Sequence, residues 1–168
     1  MQELINDSVQ SWINSLRSET LRFLAELKDP EKAGYYKYSL TGDIYSSQTR
    51  WGLGNSVFAA KIYYMLNAVE ETEAKSIVNF IKTFQDKRGY IYDKKIERLS
   101  RARRIACALL RRRINYLFNE QAKLGETRQS FAAMLCLGYR PDIPFLHIPY
   151  TKKDIEKFIH SLNWKIPW

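Results

Sequence analysis

Residues 80–93 read FIKTFQDKRGYIYD, and residues 23–36 read FLAELKDPEKAGYY. Both segments have the same order: the apolar end of a predicted helix, and then a glycine followed by a tyrosine. A third apolar stretch of this kind, FIHSL at residues 158–162, is followed by only six residues, up to Trp168. Repeated helical units bury their apolar faces against neighbouring units. We therefore predict a helical-repeat protein whose last unit is truncated in this chain.

About six helices and no β-sheet are predicted along the chain. Apolar residues recur at spacings of three and four over residues 4–27, which indicates one amphipathic helix or a pair of them. Residues 55–67 are apolar almost all round, so they predict a buried inner helix. The other predicted helices cover about residues 70–84, 94–120 and 127–137, and one that opens at Thr151 with capping-box spacing. We predict a single all-α domain, residues 1–168, of inner and outer helical hairpins.

The inner helices also repeat in the sequence. Phe58-Ala59-Ala60 aligns with Phe131-Ala132-Ala133, and a Thr-Arg pair precedes each of them. If these inner helices alternate with outer helices that carry Phe80 and Phe158, all four phenylalanines belong to one continuous core. Truncating Phe80 to alanine would then cost roughly 3 to 5 kcal/mol of folding free energy.

This alternation, with a Gly-Tyr loop after each outer helix, resembles the α/α-toroid superfamily of terpenoid cyclases, protein prenyltransferases and certain polysaccharide lyases. The likeness is closest at residues 80–93, where an apolar helix, a Gln, an Asp and a Gly precede an aromatic residue. The resemblance implies the N-terminal half of a ring of helices. It does not carry an activity, because Asp43, Asp86 and Asp93 are isolated, and no Asp, Cys and His cluster like the zinc site of prenyltransferases is visible in the sequence.

The loops supply a candidate binding cleft, because repeated units would place both Gly-Tyr loops at the same end of the inner helices. Aromatic rings stack on sugars, and carboxylates and guanidinium groups hydrogen-bond to them, so a glycan would suit such a cleft. The resemblance to the α/α-toroid superfamily implies a polyisoprenoid as the other expected substrate. The alternative is that these tyrosines simply pack the loops over the helix ends. The predicted substrate-binding residues are Tyr38, Asp43, Tyr45, Arg50, Trp51, Tyr90, Tyr92, Asp93 and Arg128.

The net charge of +9 is concentrated in one segment. Residues 94–113 contain nine basic residues and one acidic residue, whereas the other residues contain 18 basic and 17 acidic ones. The predicted helix 94–120 places Arg101, Arg104, Arg111 and Arg112 opposite its apolar face. Such a helix could dock on an anionic membrane surface, a nucleic acid or a protein partner, or it could be a solvated outer helix. A non-catalytic interaction module is therefore the second functional hypothesis.

Neither a metal site nor a cofactor is predicted, because the two cysteines and two histidines are far apart in the sequence. No window of eighteen apolar residues occurs, and the first thirty residues contain five acidic side chains where a signal peptide would be apolar. We therefore expect no transmembrane segment and a cytoplasmic location. The incomplete repeat predicts either a missing C-terminal half or a homo-oligomer.

Overall fold

The computed structural model describes residues 2–41, 52–94, 105–106, 109–110, 120–145, 149 and 151–161. Within these ranges there are five helices and no strand, which confirms the all-α prediction. They are α1 (Gln2–Leu27), α2 (Leu53–Met65), α3 (Glu71–Lys82), α4 (Glu120–Cys136) and α5 (Lys152–Ser161). Most of the predicted helix 94–120 lies outside the described residues, although residues 94, 105–106 and 109–110 are helical.

The helix boundaries follow local capping chemistry. Glu70 is the N-cap of α3, and two more glutamates lie in its first turn, where their charge favours the positive end of the helix dipole. At the start of α5 the backbone N–H of Asp154 donates to Thr151 Oγ1 at 3.1 Å, and the Thr151 hydroxyl donates to the Asp154 carboxylate at 2.6 Å. The capping-box prediction is confirmed. By contrast, α4 begins at Glu120 rather than Thr127, because the prediction followed apolar periodicity and residues 120–126 are mostly polar.

Two turns of the same construction follow α1 and α3. In the first turn (residues 28–36) Lys28 forms an antiparallel bridge with Tyr36, and in the second turn (residues 85–91) Gln85 does so with Ile91. The first residue inside each bridge is an aspartate, and its side chain accepts two backbone N–H groups of the turn at 2.8 to 3.1 Å. An aspartate that binds the backbone just ahead of it is a common turn-forming arrangement. The sequence repeat thus corresponds to a repeated backbone structure.

Each turn also needs a glycine. Gly34 has φ +76° and Gly89 has φ +86°, a region that residues with a Cβ rarely adopt. A Cβ on Gly34 would collide with the backbone carbonyl of Ser76 in α3, and a Cβ on Gly89 would collide with the backbone at Pro144. Both glycines therefore let a turn approach the next part of the chain closely.

A helix further along the chain binds each turn through a buried hydroxyl. The N–H of Tyr36 donates to Ser56 Oγ in α2 at 3.3 Å, and the N–H of Ile91 donates to Thr127 Oγ1 in α4 at 3.0 Å. The two helices pack directly on each other. Thr127 follows Ser56 by 71 residues. Their C-terminal ends match in the same register, with a left-handed residue at Asn67 and, 71 residues later, at Gly138.

This register corrects the alignment of Phe58 with Phe131, because it places Phe131 at the position of Ala60. The core is built from small and aliphatic residues of α2, α3 and α4, with Leu24 and Leu27 from α1. Phe80 is buried as predicted, and Phe131 is half-buried. Phe58 and Phe158 are exposed, so the prediction of one core with all four phenylalanines is wrong for these two. In α2 the core face consists largely of small residues, and Phe58 lies on the opposite face.

Candidate functional site

The N-terminal part of α1 exposes a row of large apolar side chains. Every residue from 7 to 19 is exposed, and α1 reaches the core only further along, at Leu24 and Leu27. Four large apolar side chains, which we call the α1 stripe, are exposed by 48, 64, 44 and 47%: Val9, Trp12, Ile13 and Leu16. At 100° per residue they occupy an arc of about 100° on one side of the helix.

Helix length explains this exposure. α1 has 26 residues, whereas α2 and α3 have 13 and 12. At 1.5 Å per residue, α1 therefore extends roughly 20 Å beyond what either neighbour can cover. The apolar spacing of this segment predicted an amphipathic helix without saying what covers its apolar side. The difference in length between the predicted helices is the signal that could have identified it as a surface.

The α1 stripe continues one side of the part of α1 that packs on the body. Arg17 attaches α1 to the end of α2, where Nε donates to the Leu66 carbonyl at 2.9 Å and Nη2 donates to the Asn67 carbonyl at 3.3 Å. The last carbonyls of a helix lack helical partners, so an arginine is a favourable donor to them. At 100° per residue the buried Leu27 lies within about 10° of the centre of the stripe, and Arg17 and Leu24 lie about 70 to 90° from it. The stripe therefore extends the core-facing side of α1 beyond the part that the body covers.

A groove of about 420 Å³ lies between α1, the end of α2 and the start of α3. Glu73 carries its polar network, because it accepts hydrogen bonds from Lys28 Nζ and from the Tyr36 hydroxyl, both at 2.6 Å. The hydroxyl oxygens of Tyr36 and Tyr63 are 3.3 Å apart. The groove is lined by Arg17, Leu21, Lys28, Tyr63, Ala68, Val69, Glu70 and Glu73.

The network holds its groups in unreactive protonation states. Burial, together with the hydrogen bond to Glu73, raises the pKa of Tyr36 far above its usual 10.0. Burial lowers the pKa of Lys28, but its hydrogen bond to Glu73 and the nearby charges outweigh this, and the net pKa lies above 10.5. At neutral pH Tyr36 is therefore a neutral phenol and Lys28 a cation, so neither acts as a general base. The network ties the first turn to α3.

Three of the predicted substrate-binding residues lie in or just after the second turn. Tyr90, Tyr92 and Asp93 are buried. The ring of Tyr90 packs edge-on against Phe145 with centroids 4.8 Å apart, and Lys123 Nζ lies 4.9 Å from the centre of the Tyr92 ring. This arrangement is what the packing alternative expects of loop tyrosines.

The other predicted contact residues are either exposed or outside the described ranges. Tyr38 and Arg128 are exposed. Asp43, Tyr45, Arg50 and Trp51 lie outside the described residues, as do the four arginines predicted to bind an anionic partner, Arg101, Arg104, Arg111 and Arg112. Contact of any of these residues with a ligand stays a prediction.

Among the residues that the structure describes, no group of three or more His, Cys, Asp or Glu side chains could hold a metal ion. None of the described helices is long and apolar enough to cross a membrane. No protein-family model, curated protein or solved structure matches the chain. Function is therefore inferred from the geometry of the molecule, in which the α1 stripe is an exposed row of large apolar side chains.

Proposed function

We propose that this chain is a non-catalytic helical interaction module that binds an α-helical protein segment through the α1 stripe. The carrying observation is the continuous exposure of Val9, Trp12, Ile13 and Leu16 on one side of α1. Proteins that remain monomeric rarely expose large contiguous apolar patches, and such patches mark interaction sites. A stripe with spacings of three and four fits best against the apolar side of another helix.

The charge of α1 favours a protein partner over an anionic membrane. The helix carries four acidic residues and two basic ones, so its net charge is −2 in a chain of +9. Helices that lie on anionic bilayers have basic polar faces, and each Lys or Arg near such a surface contributes about 1 kcal/mol. An anionic surface would therefore repel α1 rather than attract it.

The test uses a photo-crosslinking amino acid, benzoylphenylalanine, in place of Trp12. Ser11, which is exposed on the opposite side of α1, receives the same amino acid as the matched control. We expect crosslinks from position 12 to one defined helical segment, mapped by mass spectrometry, and none from position 11. Equal labelling from both positions, or adducts with lipid or nucleic acid alone, would contradict the proposal.

A second function is favoured by the +8 segment at residues 94–113, which suits an anionic surface or partner. Replacing Arg111, Arg112 and Arg113 with Gln should abolish binding to anionic vesicles or to RNA while the circular dichroism spectrum stays unchanged. Unaltered binding would remove the segment from consideration. Comparing the two ligands tells membrane from nucleic acid.

The N-terminal part of an α/α-toroid-like protein remains a further proposal, supported by the two matching turns. In this case an aromatic cleft binds a glycan or a polyisoprenoid. Titration with an oligosaccharide and with a polyprenyl phosphate, followed by intrinsic fluorescence, tests it. Tyr38→Ala should weaken binding, since Tyr38 is the exposed aromatic residue of the predicted set in the described ranges. No change in fluorescence with either ligand would count against a cleft.

A further inference from the structure

We infer that the helical segment bound by the α1 stripe is a basic amphipathic helix, which carries lysine or arginine beside its apolar side. The inference rests on the proposed function and states the chemistry of the partner. Three observations support it: the position of the stripe relative to the body, the acidic groups around that position, and the engagement of the nearby cations within the body.

A helix that covers the α1 stripe meets the connection between α2 and α3 (residues 66–70). The stripe extends the core-facing side of α1 beyond the part that the body covers. Because Arg17 binds the Leu66 and Asn67 carbonyls, this connection lies beside the inner end of the stripe. Val69 of the connection is exposed by 38%. The partner helix therefore lies along α1 and ends against the connection.

Acidic side chains border this position on two sides. Glu19 is exposed and lies about 70° around α1 from the centre of the stripe, where the residues beside the seam of paired helices lie. In the connection Glu70 is exposed and lines the groove next to Arg17, and the exposed Glu71 follows it at the start of α3. Charged residues beside a seam set the choice of partner. A partner with acidic flanks would be repelled here, whereas one with lysine or arginine is attracted.

The two cations that line the groove are engaged within the body. Arg17 lies at the other edge of the stripe, and its Nε and Nη2 donate to the carbonyls at the end of α2, where a cation compensates the negative end of the helix dipole. Lys28 Nζ donates to Glu73 at 2.6 Å. The carboxylates beside the stripe are therefore the charges that a partner helix meets.

Two synthetic peptides of equal length test the inference with the full chain. Both carry leucines at spacings of three and four, and their polar positions are all lysine in one peptide and all glutamate in the other. By fluorescence anisotropy at low salt we expect the lysine peptide to bind about tenfold more tightly or better, and Leu16→Gln to weaken its binding. Equal affinity of the two peptides, or no binding of either, would overturn the inference. Crosslinks from position 12 to a defined helical segment would in that case still support the proposed function.

Charge reversal beside the stripe tests where the selection arises. Glu19→Lys should weaken binding of the lysine peptide about fivefold, because an attraction becomes a repulsion. Asp7→Lys is the matched control, since Asp7 is exposed on the opposite side of α1 and the net charge changes by the same amount. It should leave the affinity unchanged. Equal weakening by both variants would contradict the inference, as would a crosslinked natural segment whose apolar side is flanked by acidic residues.

Discussion

The first and second turns share several backbone contacts and have different surroundings. In the first, Tyr36, Lys28 and Glu73 form a polar network, and Phe80 packs against Tyr35. In the second, Tyr90 packs against Phe145, and Gln85 exchanges two hydrogen bonds with the backbone of Ile143. The elements common to both are the aspartate, the glycine with positive φ and the hydroxyl from a later helix. The repeat is therefore specified by backbone chemistry, and the side chains that fill each unit are free to differ.

Replacing the phenylalanine that packs against each turn should lower the free energy of unfolding by the largest amount. Phe80→Ala is expected to lower the free energy of unfolding by about 3 to 5 kcal/mol, because Phe80 is buried against Tyr35 and Phe84. Phe145→Ala should cost less, about 2 to 3 kcal/mol, since its cluster is smaller. Urea unfolding of both variants checks the order. A greater loss for Phe145→Ala would mean that the second unit holds the fold together.

Replacing the glycines of the two turns should cause the next largest loss of stability. Gly34→Ala should cost about 3 kcal/mol, because the new Cβ meets both a left-handed φ and the backbone of α3. Gly89→Ala should cost about 2 kcal/mol, because its Cβ would approach the Pro144 carbonyl less closely than a Cβ at Gly34 approaches the Ser76 carbonyl. Thermal unfolding measures both.

Gly125→Ala is the control for these glycines. Gly125 lies inside α4, and a Cβ there would meet nothing within 4 Å. The substitution should stabilise the protein by about 0.5 to 1 kcal/mol. If all three alanines destabilise equally, the special role of the turn glycines is refuted.

The two buried hydroxyls should differ in the same experiment. Thr127→Val removes the acceptor of the Ile91 N–H and should cost about 2 kcal/mol, since a buried donor is left without its partner. Ser56→Ala removes a longer bond to the Tyr36 N–H and should cost about 1 kcal/mol. Valine keeps the shape of threonine, and alanine removes only the hydroxyl oxygen of serine. Equal losses would show that bond length does not distinguish the two units.

Alkaline pH should lower the stability of the first turn, and we expect this effect to be smaller than those of the substitutions above. The pKa values of Tyr36 and Lys28 are both raised in the folded state, so above pH 10 the unfolded chain loses protons that the folded chain keeps. Their contribution to stability is therefore full below pH 10 and decreases as the pH rises above it. Tyr36→Phe should flatten the fall of the melting temperature between about pH 9.5 and 11.5. An identical slope in the variant and the wild type would disprove the role of Tyr36.

The sequence predicted what depends on neighbouring residues. The cap of α5 at Thr151 and the acidic start of α3 were predicted because each involves groups within a few residues of one another. The register of α2 against α4 was predicted wrongly, because the prediction aligned the phenylalanines of the two helices. The positions that correspond are Ser56 and Thr127, and they are identified by their hydrogen bonds to distant backbone groups. The burial of Tyr90 likewise depends on Phe145, 55 residues later. Local order does not determine such contacts.

The hydrogen bonds of Arg17 have a mechanical consequence. α1 is about 39 Å long, and near its middle Arg17 hydrogen-bonds to the connection between α2 and α3. A sideways force on the N-terminal end of α1 therefore tilts the helix about the Arg17 contacts. The core residues Leu24 and Leu27 lie on the other, shorter side of these contacts. Because this shorter part of α1 is embedded in the core, tilting the longer N-terminal part displaces the residues that pack against the first turn.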